Sequence, residues 1–182
     1  MEQFVQTPEQ HETPQNTGMV KPAFYYGMLT AIGLILLTLI IYFLDLMEAR
    51  WVSWVGYLIL IAGVAIGTKA YRDEVRGGFI SYGNALGFGT LSMVFAALIA
   101  SAFTYLFYVF IAPDAIEKLR FLAEERALDA SPNLGHDELQ MIRRFVSPVL
   151  IAITTVFSYS FFGFVISLIT SAFLKKNDPL EA

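Results

Sequence analysis

The amino-acid sequence predicts an all-α integral membrane protein, an antiparallel bundle of four transmembrane helices with a helical extramembrane loop. Its composition is the first indication, because 56% of the 182 residues are hydrophobic and only 15% are charged, against about 45–50% and about 25% in soluble domains. Four segments are apolar over the roughly 20 residues needed to cross a hydrocarbon core of about 30 Å. The remaining residues are too few to cover four such segments with polar surface.

The first 22 residues differ from the rest of the chain and do not read as a signal peptide. They lack a basic start and an apolar core, and they carry Glu2, Glu9 and Glu12 against a single cation, Lys21. A segment rich in Gln, Thr, Pro and Glu cannot bury enough apolar surface to offset its conformational entropy. We therefore expect a disordered acidic tail over residues 1–22 and a membrane domain over residues 23–174.

The predicted transmembrane helices run over residues 23–44, 51–70, 84–112 and 147–174. Lys69 is the only charged residue in them, and it lies at the end of the second segment, where its amine can reach the membrane surface. The short connection 45–50 places the first two helices antiparallel. Trp51 and Trp54 beside it have the position of aromatic residues at a lipid–water interface. Pro148 fits the first turn of the fourth helix.

Residues 113–146 form the largest predicted extramembrane segment, and residues 175–182 form a short C-terminal tail. Apolar residues recur at steps of three or four, as seen in Ile116, Leu119, Leu122, Ala123 and Ala127, and again in Leu139, Ile142 and Val146. This spacing predicts two helices that pack on the membrane face, beginning at Pro113. A solvated connector without fixed structure is the alternative.

The charges give only a weak indication of orientation. An even number of spans puts both termini on one side, and the 12 Lys and Arg residues then divide six to each side. The positive-inside rule counts Lys and Arg near the ends of the spans. The dense cluster between Lys69 and Arg76, with Lys175 and Lys176, favours termini in the cytoplasm.

The sequence offers no pattern typical of catalysis, and we expect no enzyme activity, cofactor or metal site. No ionisable residue lies in the middle of a predicted span, which argues against an ordinary proton- or sodium-coupled transporter acting as a monomer. His136, Asp137 and Glu138 are adjacent, but neighbouring helical positions point in different directions. The chain has no cysteine and a net charge of −4, which exclude thiolate chemistry and disfavour a nucleic-acid partner.

Two sets of residues are candidates for helix packing or a polar path. Small residues four apart allow helices to approach closely in a membrane, and neutral polar residues can bond across helices or line a path. The candidates are Gly63, Gly67, Gly83, Asn84, Gly87, Ser158, Tyr159, Ser160 and Gly163.

The stretch GGFISYGNAL at residues 77–86, followed by Gly89, resembles the bacterial membrane family labelled domain of unknown function 4199. The basic turn 69–76 is similar to that family, as are the aromatic residues Tyr105 and Tyr108 before the loop start at Pro113. The resemblance spans residues 24–174 and implies four helices in a bacterial inner (cytoplasmic) membrane. It implies no catalytic or binding residue.

These features lead us to expect a non-enzymatic assembly, scaffolding or accessory subunit, with membrane lipid and a homo-oligomer or a membrane protein as partners. A transport or channel component is the first alternative, with Ser158, Tyr159 and Ser160 lining a path between protomers. The second alternative is a sensor of lipid or envelope stress that acts through residues 113–146.

Overall fold

The computed structural model describes residues 18–46, 49 and 51–176, and residues 1–17 and 177–182 of the predicted tails lie outside this range. The regular elements of the described residues are helices, which confirms the predicted all-α class. They are α1 Val20–Phe43, α2 Trp51–Ala70, α3 Tyr82–Leu106, α4 Pro113–Ala130, α5 His136–Phe145 and α6 Pro148–Leu174. Two π-helical turns, Tyr71–Val75 and Phe107–Ile111, extend α2 and α3.

Within the described residues, four helices are long and apolar enough to cross a membrane, as the sequence predicts. They are Val20–Phe43, Trp54–Val75, Tyr82–Ile111 and Pro148–Leu174. The chain is therefore an integral membrane protein with a helical bundle. The first and third helices begin earlier than the predicted residues 23 and 84, and the second continues through the π-helical turn into what the sequence presents as a connection.

Helix α3 occupies the centre of the bundle. It packs most extensively on α6 and α1, while α2 lies against α1, α3 and α6. Phe88 and Met93 of α3 are fully buried and belong to two core clusters, one in each half of α3. Apolar side chains on the outer faces, such as Phe157 and Phe173, are exposed, as expected where lipid replaces protein as the neighbour.

Serine caps and first-turn prolines mark the starts of several helices. The Ser81 side chain accepts a hydrogen bond from the Asn84 N–H at the start of α3, and the Ser147 side chain accepts one from the Leu150 N–H at the start of α6. Such caps satisfy backbone donors that have no partner within the helix. Pro113 and Pro148 each lie in the first turn of their helices, as predicted from their ring geometry.

Both π-helical turns place an aromatic residue in the core. Each turn closes with a hydrogen bond that spans five residues, from the Arg76 N–H to the Tyr71 carbonyl and from the Ala112 N–H to the Phe107 carbonyl. The Tyr71 ring stacks on Phe88 at 4.3 Å, and Tyr71 and Phe107 are both buried. The wider turn therefore rotates one aromatic side chain inward at each end of the bundle.

The end of the bundle near the termini is held together by backbone pairing. Gly77 and Gly78 have φ angles of +66° and +92°, which glycine adopts without steric cost, and they reverse the chain after the first π-helical turn. Ile80 then forms an isolated antiparallel bridge with Lys176 beyond α6. The Arg72 guanidinium donates to the Leu174 carbonyl at 3.3 Å, so α2, α3 and α6 are tied together here.

Helices α4 and α5 form a hairpin, here called the cap hairpin (residues 113–145), at the other end of the bundle. Its packing on the bundle is concentrated in the first turn of α4, where Ala115 and Ile116 are buried. Within the hairpin, Arg143 binds the carboxylates of Glu117 and Glu124 at 3.2 Å. The rest of the hairpin makes few contacts with the spanning helices.

Candidate functional site

A cavity of about 380 Å³ lies between α1, α2 and α6, in the half of the bundle next to the α1–α2 connection. It is partly open to the surroundings. Leu46 and Ala49 of the connection lie at one end, and the buried residues Leu34 and Leu60 lie at the other. The cavity exists because α1 and α6 both pack on α2 and α3 but make no extensive contact with each other.

The walls of the cavity are apolar with a few hydroxyl groups. Among the described residues, the lining consists of Leu34, Leu37, Thr38, Ile41, Leu46, Ala49, Val52, Gly56, Tyr57, Leu60, Ser158, Tyr159 and Phe162. None of these side chains is charged. The described walls can therefore hold an apolar group and offer it hydrogen bonds, but they provide no charge to compensate an ion.

The hydroxyl groups of the lining differ in whether they already form a hydrogen bond within the protein. Thr38 donates to the Leu34 carbonyl of its own helix at 3.0 Å. Ser158 and Tyr159 form no side-chain hydrogen bond with another described residue, although Tyr159 packs against the core cluster around Met93. Their hydroxyl groups are available to a molecule in the cavity.

The sequence-predicted polar residues separate into two groups. Ser158 and Tyr159 both line the cavity between α1, α2 and α6. Ser160 does not line it, since the next position on a helix is rotated by about 100°. Asn84 lies in the first turn of α3 at the far end of the bundle, where its N–H donates to Ser81. Only Ser158 and Tyr159 therefore belong to one site.

Most of the predicted small residues lie at helix contacts. A Cβ atom built on Gly163 would overlap the Met93 side chain, and one on Gly63 would overlap Thr30. On Gly67 it would lie 3.1 Å from the Tyr26 Cβ atom. These three glycines let α6, α2 and α1 approach their neighbours closely.

The closest contact on α3 is at Gly89; of the predicted pair Gly83 and Gly87, only Gly87 has a neighbour, the Met19 sulfur atom at 3.7 Å from a Cβ atom built there. A Cβ atom on Gly89 would lie 2.5 Å from the Ser167 Oγ atom and 3.2 Å from Val64. Gly83 and Gly87 are exposed, and nothing lies within 4 Å of a Cβ atom on Gly83. Six residues along a helix turn the side chain by about 240°, so Gly83 and Gly89 face different directions.

Long-range polar contacts connect the cap hairpin to the α1–α2 connection beside the cavity. Lys118 donates to the Asp45 carboxylate at 3.0 Å, and the Tyr42 hydroxyl donates to Asp114 at 3.4 Å. The hydrogen bond to Asp45 raises the pKa of Lys118 above its ordinary value. Asp45 itself has a φ of +51° in a left-handed cap at the end of α1. The sequence did not indicate these contacts, because their partners lie 72 and 73 residues apart.

Within the described ranges, no group of three or more His, Asp, Glu or Cys side chains could hold a metal ion. Several hydroxyl groups buried in the bundle have no hydrogen-bond partner, among them Thr68, Ser92 and Ser171. They lie on helix faces that pack together and do not line the cavity. Their positions indicate tight helix packing.

Comparisons with known proteins identify the family. Searches of curated proteins and of solved structures returned no significant match. The model of a family described as a protein of unknown function, DUF4199, matches residues 25–176 and thus covers all four spanning helices. The chain belongs to the DUF4199 family.

Proposed function

We propose that this protein is a non-enzymatic assembly or accessory subunit of a bacterial inner membrane, and that the cap hairpin is the surface through which it binds a partner protein. The observation that supports this most is the apolar surface on the cap hairpin. Phe121, Met141 and Phe145 are 66%, 59% and 66% exposed, although the hairpin carries many charged residues that could cover them.

The construction of the hairpin supports a binding role. Met141 and Phe145 are four residues apart and therefore share one face of α5, while Arg143 of the same helix turns toward Glu117 and Glu124 of α4. Ion pairs thus link the two helices, Leu139 and Ile142 are half-buried, and the face with Met141 and Phe145 stays exposed. Large exposed side chains of this kind are typical of protein contact sites.

Replacing Met141 and Phe145 together by Ser tests the proposal. We expect the double variant to remain in the membrane but to lose most of the proteins that co-purify with the natural chain after cross-linking in mild detergent. The exposed pair Arg126→Ala and Asp129→Ala on α4 is the matched control and is expected to retain them. Unchanged partners in the double variant, or a clean monomer from the natural chain, would refute the proposal.

The charge distribution supports termini on the cytoplasmic side. Among the described residues the end of the bundle near the termini carries six cations and two acids, which are Lys21, Lys69, Arg72, Arg76, Lys175, Lys176, Asp73 and Glu74. The cap hairpin at the opposite end carries five cations and seven acids, and its cations are spread over a longer segment. Cytoplasmic flanks of spans are enriched in Lys and Arg.

A transport or channel component, acting as a homo-oligomer, is the second candidate. The meeting of Ser158 and Tyr159 in the cavity favours it. A flux across reconstituted vesicles that falls in the Ser158→Ala and Tyr159→Phe variants would support transport.

Sensing of lipid or envelope stress by residues 113–146 is the third candidate and uses the same hairpin. It would require that the Met141 and Phe145 double variant lose a stress response while its partner proteins still co-purify.

A further inference from the structure

The cavity between α1, α2 and α6 has the dimensions of a small-molecule site. Its volume of about 380 Å³ falls within the range of about 300–1,000 Å³ that is usual for ligand pockets. Its walls are mainly Leu, Ile and Val side chains with the rings of Tyr57, Tyr159 and Phe162. Apolar walls with a few placed polar groups are the usual lining of such pockets.

The part of the lining that the structure describes favours an uncharged ligand over a charged one. None of the described lining side chains carries a charge, and moving an ion from water into an apolar site without a partner is very costly. An uncharged molecule avoids this cost and can reach the cavity from the bilayer, in which it is already dissolved.

The position of the free hydroxyl groups indicates where a polar group of the ligand would lie. Tyr159 lies 11 residues beyond Pro148, the first residue of α6, which is about 16 Å along the helix at about 1.5 Å per residue. This is about half of a hydrocarbon core of roughly 30 Å. Ser158 and Tyr159 can both donate and accept hydrogen bonds, so they suit an oxygen atom of a neutral group carried to the middle of the membrane.

We propose that the cavity binds a neutral lipophilic molecule, with its hydroxyl or carbonyl oxygen at Ser158 and Tyr159 and its apolar part against α1 and α2. This role does not depend on the cap hairpin, and the variants that test the two proposals are different. A negative labelling result would therefore leave the partner proposal standing, and the loss of the partner proposal would leave this one standing.

Photolabelling of the full chain in phosphatidylcholine nanodiscs tests this site. The probe is a diazirine-bearing hexadecanol, compared with hexadecane and hexadecyltrimethylammonium probes that carry the same diazirine. We expect the alcohol to label peptides that contain Leu37, Gly56 and Ser158 in preference to the outer faces of the helices. The ammonium probe is expected to show no such preference.

Filling the cavity provides the first control. Gly56 lines the cavity, and a Cβ atom built on it would have its nearest neighbour, the Leu37 Cδ2 atom, at 3.8 Å, so Gly56→Trp is the variant chosen to fill the space. We expect this variant to reduce cavity labelling at least tenfold. Leu58→Trp, on the same helix at a position 63% exposed to lipid, is expected to leave the labelling unchanged.

Removing one hydroxyl group tests the polar contact. Tyr159→Phe is expected to weaken competition by unlabelled hexadecanol about three- to tenfold, the worth of one hydrogen bond, and to leave competition by hexadecane unchanged. Tyr105→Phe, an exposed residue outside the lining, is the control. The proposal is overturned if Gly56→Trp has no effect, if the ammonium probe labels the cavity equally, or if Tyr159→Phe does not separate the alcohol from the alkane.

Discussion

Replacing Gly27 by Ala is expected to destabilise the bundle by about 2 kcal/mol, the usual scale of overpacking in a tight core. A Cβ atom on Gly27 would lie 2.5 Å from the Ser92 carbonyl oxygen and 2.9 Å from the Phe95 Cβ atom. A backbone oxygen cannot rotate away as the end of a side chain can, so α1 and α3 must separate. The measurement is unfolding by a denaturing detergent, followed by circular dichroism in mild detergent.

Gly83→Ala is the matched control, because it makes the same change on α3 in open space. Nothing lies within 4 Å of a Cβ atom at this position, and the residue is exposed. Since Ala favours a helix over Gly by up to about 1 kcal/mol, we expect this variant to be neutral or more stable. Equal destabilisation by both substitutions would contradict the assigned contact between α1 and α3.

Replacing Phe88 by Ala is expected to cost about 3–5 kcal/mol, the range for a large aromatic side chain removed from a core. Phe88 is fully buried, its ring stacks on Tyr71 at 4.3 Å, and the Tyr26 ring centroid lies 6.3 Å away. Its loss leaves a cavity where α1, α3 and the first π-helical turn meet. The same unfolding titration measures the effect.

Phe157→Ala controls for the general loss of an aromatic side chain from a spanning helix. Phe157 is 72% exposed on α6 and has lipid as its main neighbour, so truncation leaves no cavity in the bundle. We expect a change below about 1 kcal/mol. Comparable losses in the two variants would show that Phe88 is not the core residue described here.

The spans could be predicted from sequence because the length of a charge-free apolar segment is a local property. The same is true of the helix starts at Pro113 and Pro148, where the proline ring fixes the backbone angle. The predicted range 51–70 matches α2, but the sequence does not indicate the π-helical turn that continues it to Val75. Hydrogen bonds that span five residues leave no regular pattern in the sequence.

The buried face of α3 shows where reasoning from glycine pairs fails. Gly83 and Gly87 have the spacing of a packing motif but lie outward, whereas Gly89 faces Ser167 and Val64. The sequence does contain a pattern that marks the buried face of α3. Residues 85, 89, 92, 93, 96, 97 and 100 are buried on one face of this helix, and most of them are alanine, serine or glycine, so counting all small residues would have identified that face.

The cavity could be predicted only in part. The hydroxyl groups of Ser158 and Tyr159 stand out in an apolar helix, and the sequence identifies them. The walls come from α1 and α2, and the space itself depends on how far α1 and α6 lie apart. This distance is set by packing across the whole bundle, and no local pattern encodes it.

The four-span topology is tested most directly by placing single cysteines in a chain that has none of its own. Cysteines at Gly18, Ser81, Ser131 and Lys175 are expected to give membrane-bound proteins. In intact cells an impermeant maleimide should label only the Ser131→Cys variant, and the other three variants should require permeabilised membranes. Labelling of Ser131→Cys from the same side as Ser81→Cys, or of Gly18→Cys and Ser81→Cys from opposite sides, would contradict the four-span bundle.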